Sequence, residues 1–275
     1  MIGVELRKLA LRPRVWLSIG LLCLLPALVA VLLSVSDLAP PPGQGGAFLS
    51  AVLRNGALFP AAALAMVLPV FLPLAVAVFA GDAIAGEAAT GTLRYLLVRP
   101  VARPRVLAAK LVALAVFTVL AVLAVAVTSL VVGLVLFGTG AEAVGQASAA
   151  TSLSGIDLSP GELALRMAAA IGYIVVSMVG FGSIALFFST LSDSAIGAAL
   201  AALAVLIGSS IMETLQAASA IKPYLPTNYW LSWIDFFRNP VFWDNIDKGL
   251  LLQAGYVVLF FGAAWANFAS KDITS

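Results

Sequence analysis

Apolar residues fall along this chain in long, nearly unbroken runs, at 15–35, 57–80, 106–137, 163–188, 195–212 and 249–269, separated by stretches rich in Gly, Pro, Ser and charge. A helix rising ~1.5 Å per residue needs about 20 such residues to cross a hydrocarbon layer of ~30 Å, and each run is about that long or longer. Lipid offers backbone amides no partner, and the runs lack the in–out alternation of a barrel strand, so they must be helical. The pattern therefore predicts an all-α polytopic membrane protein, one domain over residues 1–275 with six transmembrane helices.

Composition sharpens this. The chain is 62% hydrophobic and 10% charged, with a mean hydropathy of +1.09, against roughly half apolar and a quarter charged in soluble domains. A water-soluble fold is excluded. With no histidine and a single cysteine, Cys23, neither a disulfide framework nor a His/Cys metal site can be built. No cofactor or metal bound by this chain is expected. The net charge of +2 lacks the dense basic blocks of a nucleic-acid binder, so nucleic acid is not an expected partner.

Lys and Arg accumulate in cytoplasmic segments. Arg7, Lys8, Arg12 and Arg14, then Arg94, Arg99, Arg103, Arg105 and Lys110, then Lys271 all fall on one side of a six-span topology. Arg54, Arg166, Lys222, Arg238 and Lys248 fall on the other, where acids outnumber them. Both termini are predicted cytoplasmic. Ser34-Val35-Ser36 faintly resembles a signal cleavage site, but the run before it is longer than the h-region of about 7–15 residues that cleavage requires, so the first span is expected to stay.

Between the runs, residues 2–12 place Ile2, Leu6 and Leu9 on one helical face and Glu5, Lys8 and Arg12 on another, the pattern of an amphipathic helix lying along the inner membrane surface. Pro13 separates it from the first span. Span two carries Pro60, Pro69 and Pro73, which remove backbone hydrogen bonds and bend the helix, as a static kink or as a hinge. In the aromatic loop 214–248, Trp230, Trp233, Ile234 and Phe237 recur at i, i+3, i+4 and i+7, as expected of a helix at or dipping into the outer interface.

The connection 81–105 between spans two and three is the most informative stretch. Thr92 is placed to cap a helix starting at Leu93, and Pro100 disfavours helix at Arg99, so about two turns are expected. Leu93, Leu96 and Leu97 form the apolar face; Arg94, Arg99, Arg103 and Arg105 collar it with positive charge. Two readings stand: a plug that inserts into the groove of a partner, or a surface helix resting on anionic lipid.

This stretch resembles the signature of the type-two permeases of ATP-binding-cassette (ABC) exporters. The matching positions are Asp82, Glu87, Gly91-Thr92-Leu93, Leu96-Leu97, Pro100-Val101, Arg103 and Lys110; Ala102 stands where that family commonly has Ser. The tight turn from Ser189 to Ser194, the Leu225-Pro226-Thr227-Asn228-Tyr229 run and the Ala264-x-x-x-Phe268 ending extend the likeness along the chain. The resemblance implies that 2–12 is an elbow helix, that 81–105 holds a cytoplasmic coupling helix, and that an outer re-entrant region precedes the last span. It implies a permease subunit in the cytoplasmic (inner) cell membrane, paired with a second permease copy or homologue and with two cytosolic ATPase subunits that use ATP and Mg to drive export. Asp82, Glu87, Gly91, Thr92, Leu93, Arg94, Leu96, Leu97, Pro100 and Arg103 would then contact or support the ATPase. Asp193, flanked by two serines, either caps span five or makes a second such contact. Asp82 and Glu87, one turn apart, are expected to pair with arginines and stiffen the loop.

No catalytic residue is expected in this chain. None of Lys8, Lys110, Lys222, Lys248 or Lys271 follows a glycine, so there is no phosphate-binding loop of the Walker type. Glu213, near the end of span five, is the acid closest to burial and a candidate for lining the outer end of a translocation path. Two rivals remain. An ion-coupled secondary transporter needs mid-membrane charge and usually leaves a trace of an internal repeat, and a membrane-embedded enzyme needs acids, histidines or a metal motif converging at one depth. Neither pattern is present.

Overall fold

A computed structural model describes residues 1–35, 55–89, 103–138, 150–151 and 157–270. The helices are α1 (Ile2–Leu11), α2 (Pro13–Val35), α3 (Phe59–Val67), α4 (Phe71–Gly81), α5 (Arg103–Phe137), α6 (Pro160–Leu191), α7 (Ala195–Thr214) and α8 (Trp243–Ser270). A two-residue antiparallel pairing, Ala150–Thr151 with Asp157–Leu158, precedes α6. Among the described residues six helical stretches are long and apolar enough to cross a membrane, the second of them running from the start of α4 at Phe71 on to Ala89. The protein is a multi-pass membrane protein.

Local sequence explains most boundaries. Arg12 turns extended before Pro13, which opens α2 with a ring already set for helix. The predicted second span is two helices: Pro60 sits in the first turn of α3, and the chain breaks at Leu68–Val70 around Pro69 before α4 begins. A full capping box, Ser159 with Glu162, starts α6. At α7 the cap is Ser194, whose side chain accepts from the Gly197 amide at 3.3 Å, and not Asp193. Ser194 directly precedes the first helical residue, so its hydroxyl reaches the free amides of the first turn.

Packing centres on α6, which touches α4, α5, α7 and α8 and is the most enclosed of the long helices. Small residues let neighbours approach it. A Cβ at Gly182 would lie 2.5 Å from Leu114 of α5, and one at Gly180 would strike the Gln253 side chain of α8. Likewise Gly56 and Gly133 meet backbone to backbone where the 3₁₀ turn Gly56–Leu58, which leads into α3, crosses α5. By contrast α2 and α8 bury only one stripe each and leave the rest of their apolar surface to lipid.

At the end of the bundle remote from the N-terminus, residues Trp230–Phe237 form a 3₁₀ helix rather than the α-helix that their spacing suggests. Three residues per turn aligns Trp230, Trp233 and Phe236, so Phe236 joins the buried face and Ile234 is only partly covered. The aromatic stripe packs into the bundle: Trp230 meets Phe181 edge-on at 5.6 Å, and Trp233 is fully buried. Backbone carbonyls of this segment are held from α6, by Tyr173 on Tyr229 at 2.6 Å and by Arg166 on Phe236 and Arg238 at 3.1 and 2.9 Å.

Candidate functional site

Charge gathers at the end of the bundle that holds the N-terminus, where α1, the end of α4 and the start of α5 converge. After Gly81 the backbone widens into a π-helical turn, Asp82–Gly86, followed by helical residues Glu87–Ala89. A π turn breaks the regular ladder and needs outside partners. Ser189 of α6 supplies them. Its buried hydroxyl accepts from the amides of Ile84 and Ala85, both at 3.0 Å, and donates to the carbonyl of Gly81 at 2.7 Å.

The widened turn swings Asp82 and Glu87 to separate partners. Asp82 takes Arg12 at 2.9 Å. Glu87 is buried and is gripped on both carboxylate oxygens, by Lys8 of α1 at 2.8 Å and by Lys110 of α5 at 2.9 Å. Both lysines also reach Glu5, at 3.2 Å from Lys8 and 3.6 Å from Lys110. The four groups close a ring of alternating sign with no net charge. Lys110 is 2% exposed, and a lone ammonium so buried would be expelled or neutralised, whereas two carboxylates satisfy it here. Burial acts to lower the affinity of Lys8 for its proton, but the hydrogen bond and charge of Glu87, with those of Glu5, outweigh it and raise the Lys8 pKa.

Below the ring, Ile84, Val106, Leu107, Leu186, Ala264 and Phe268 form a separate apolar cluster that ties four helices together. Asn267 adds a polar clasp to Thr190, donating to its carbonyl at 3.0 Å and its hydroxyl at 3.1 Å. The C-terminal part of α8 therefore packs at the same end of the bundle as the π turn.

Sequence-predicted site residues thus divide. Asp82 and Glu87 belong to this assembly, with basic partners as expected, although Glu87 is held by lysines and not by arginines. Lysine fits better here, since each ammonium must reach into a closed ring rather than present a flat fork. Gly91, Thr92, Leu93, Arg94, Leu96, Leu97 and Pro100 lie outside the described residues, and Arg103 begins α5. Asp193 is exposed in the turn between α6 and α7. Glu213 is half-buried at the far end of α7, where it accepts a hydrogen bond from Thr227, itself bonded to Ser209. That trio fastens α7 to the segment before the 3₁₀ helix. Sequence reasoning missed Glu5, Lys8, Arg12, Lys110 and Ser189 as partners in one site. Lys110, a cation just inside a long apolar run, was the one signal available.

The family model described as Protein of unknown function (DUF2705) matches residues 44–274. The chain belongs to that family. No curated protein matches it. In this DUF2705 chain the match begins after α2, so Asp82, Glu87, Lys110 and Ser189 lie inside the matched region, while α1, with Glu5, Lys8 and Arg12, precedes it.

Proposed function

We propose that this protein is the membrane permease subunit of an ABC exporter, driven by separate cytosolic ATPase subunits that dock on the 81–105 connection. The supporting observation is the ring of Glu5, Lys8, Glu87 and Lys110, in which Glu87 and Lys110 are buried. It fastens α1 and the start of α5 to the stretch that leads into the connection. A push on that connection would be delivered to α1, α4 and α5 together, because separating them would strand the buried Glu87 and Lys110 without counter-charges. In this reading α1 is the elbow helix and the short basic helix that the sequence predicts from Leu93 is the coupling helix. The termini are cytoplasmic, as the Lys and Arg distribution favours. The aromatic segment ahead of α8 is the outer re-entrant region, and Glu213 lies near the outer exit.

ATP and Mg are used by the partner ATPase, and two ATPase subunits and a second permease complete the complex. The test is co-purification of a cytosolic ATPase with the tagged permease, followed by ATPase assays of the complex in lipid. Glu87→Ala and Leu93→Asp are expected to leave the permease in the membrane and to abolish transport-stimulated ATP hydrolysis. Normal coupling in both variants, or no ATPase partner at all, overturns the proposal.

A further inference from the structure

Between α2, α4 and α7 the bundle surface opens into two adjoining hollows that share Leu74 and Leu203. One, of about 330 Å³, lies beside Arg12 and Arg14; the other, of about 440 Å³, runs on towards Thr214. Together they follow α7 along its length, ~30 Å for 20 residues at the usual helical rise. The walls are apolar, and Leu200 of α7 is 60% exposed. At the N-terminal end the chemistry changes abruptly. Arg12 is committed to Asp82, but Arg14 is exposed and makes no ion pair among the described residues. Among the described residues, then, nothing neutralises the Arg14 guanidinium at the mouth.

A long greasy trough that ends in a spare guanidinium fits a ligand of two parts, a fatty chain and an anion at its end. Guanidinium binds phosphate oxygens through paired hydrogen bonds, and basic pockets between membrane helices favour anionic headgroups. We propose that this groove is a binding site for an anionic phospholipid, with the phosphate on Arg14 beside the Arg12–Asp82 pair and an acyl chain lying along α7. Lipid is the favoured occupant over a second copy of the chain, because apolar walls ending in an exposed guanidinium complement an acyl chain and its phosphate. The site stands independently of what docks on the 81–105 connection.

The test reconstitutes the purified protein in nanodiscs of phosphatidylcholine and phosphatidylglycerol and counts retained lipids by native mass spectrometry after mild detergent release. Wild-type protein is expected to keep phosphatidylglycerol in preference to phosphatidylcholine. Arg14→Gln should reduce that preference about fivefold, the change expected for one basic contact at an anionic surface, and Arg14→Lys should keep most of it. Leu200→Trp, which fills the trough, should lower retention of both lipids. Arg7→Gln, an equally exposed cation on α1, should change nothing. Equal retention of the two lipids by wild type, or the same loss from Arg7→Gln as from Arg14→Gln, overturns the proposal. So does disulfide crosslinking of two Leu200→Cys chains with exclusion of lipid, which would assign the groove to a second copy.

Discussion

Lys110, near the start of one membrane helix, places its ammonium 2.9 Å from the carboxylate of Glu87, at the end of another, and both side chains are almost wholly enclosed. Water cannot easily take over for either partner. Removing one leaves an uncompensated buried charge, which costs about 3–5 kcal/mol where such pairs have been broken. Lys110→Met and Glu87→Gln are each expected to lower the melting temperature of the purified protein sharply. The double variant should lose less than the sum of the two. Additive losses in a thermal-melt double-mutant cycle would show that the pair is not coupled.

The same ring carries a pH signature through Lys8. Because the Lys8 pKa is raised in the folded protein, its contribution to stability is complete below the ordinary lysine value of 10.5 and is lost as pH rises through the folded-state value. The melting temperature of wild type should therefore exceed that of Lys8→Met at neutral pH, and the difference should shrink as the pH rises beyond 10.5. A difference that stays constant across this range would contradict the assignment.

Ser189 satisfies three backbone groups of the π turn with one hydroxyl. Ser189→Ala removes that partner from two amides and a carbonyl in a dry site, and each unsatisfied buried group costs about 1–3 kcal/mol. Loss of stability by about 2 kcal/mol or more is expected. Hydrogen exchange should quicken at Ile84 and Ala85 in particular. Unchanged exchange there would mean that the turn holds itself together without α6.

Where the turn leading into α3 crosses α5, a Cβ on Gly133 would strike the Gly56 carbonyl oxygen and lie 2.6 Å from the Phe59 Cβ. Neither neighbour can rotate away, so Gly133→Val must push the helices apart. A penalty of about 3 kcal/mol is expected, at the upper end of ordinary overpacking. Gly208→Val serves as the control, since a Cβ at Gly208 meets nothing within 4 Å. Comparable melting of the two variants would show that the crossing is not tight.

Much of the architecture was legible in the chain because a bilayer imposes a one-dimensional rule. Any segment that crosses it must be apolar for about 20 residues and must be helical. Helix starts that depend on neighbours in sequence were partly readable too: Pro13 marks the first span, and Pro69 marks the break that divides span two. Three-residue periodicity was not readable, since Trp230, Trp233, Ile234 and Phe237 satisfy an α-helical stripe, and packing against α6 selected the 3₁₀ form.

Partnership was decided only in three dimensions. Asp82 and Glu87 stood out as acids at the end of a span, but nothing local to them names Lys8, Arg12 or Ser189, which come from other helices far away in the chain. Lys110 read as a topology marker and as one position of the permease signature, and the fold buried it within a ring of charges. The sequence by itself determined which segments enter the membrane, because that depends on the summed transfer energy of neighbouring residues. Only the tertiary structure decided which charges meet, because a buried charge is tolerated or forbidden by partners that sequence distance does not reveal.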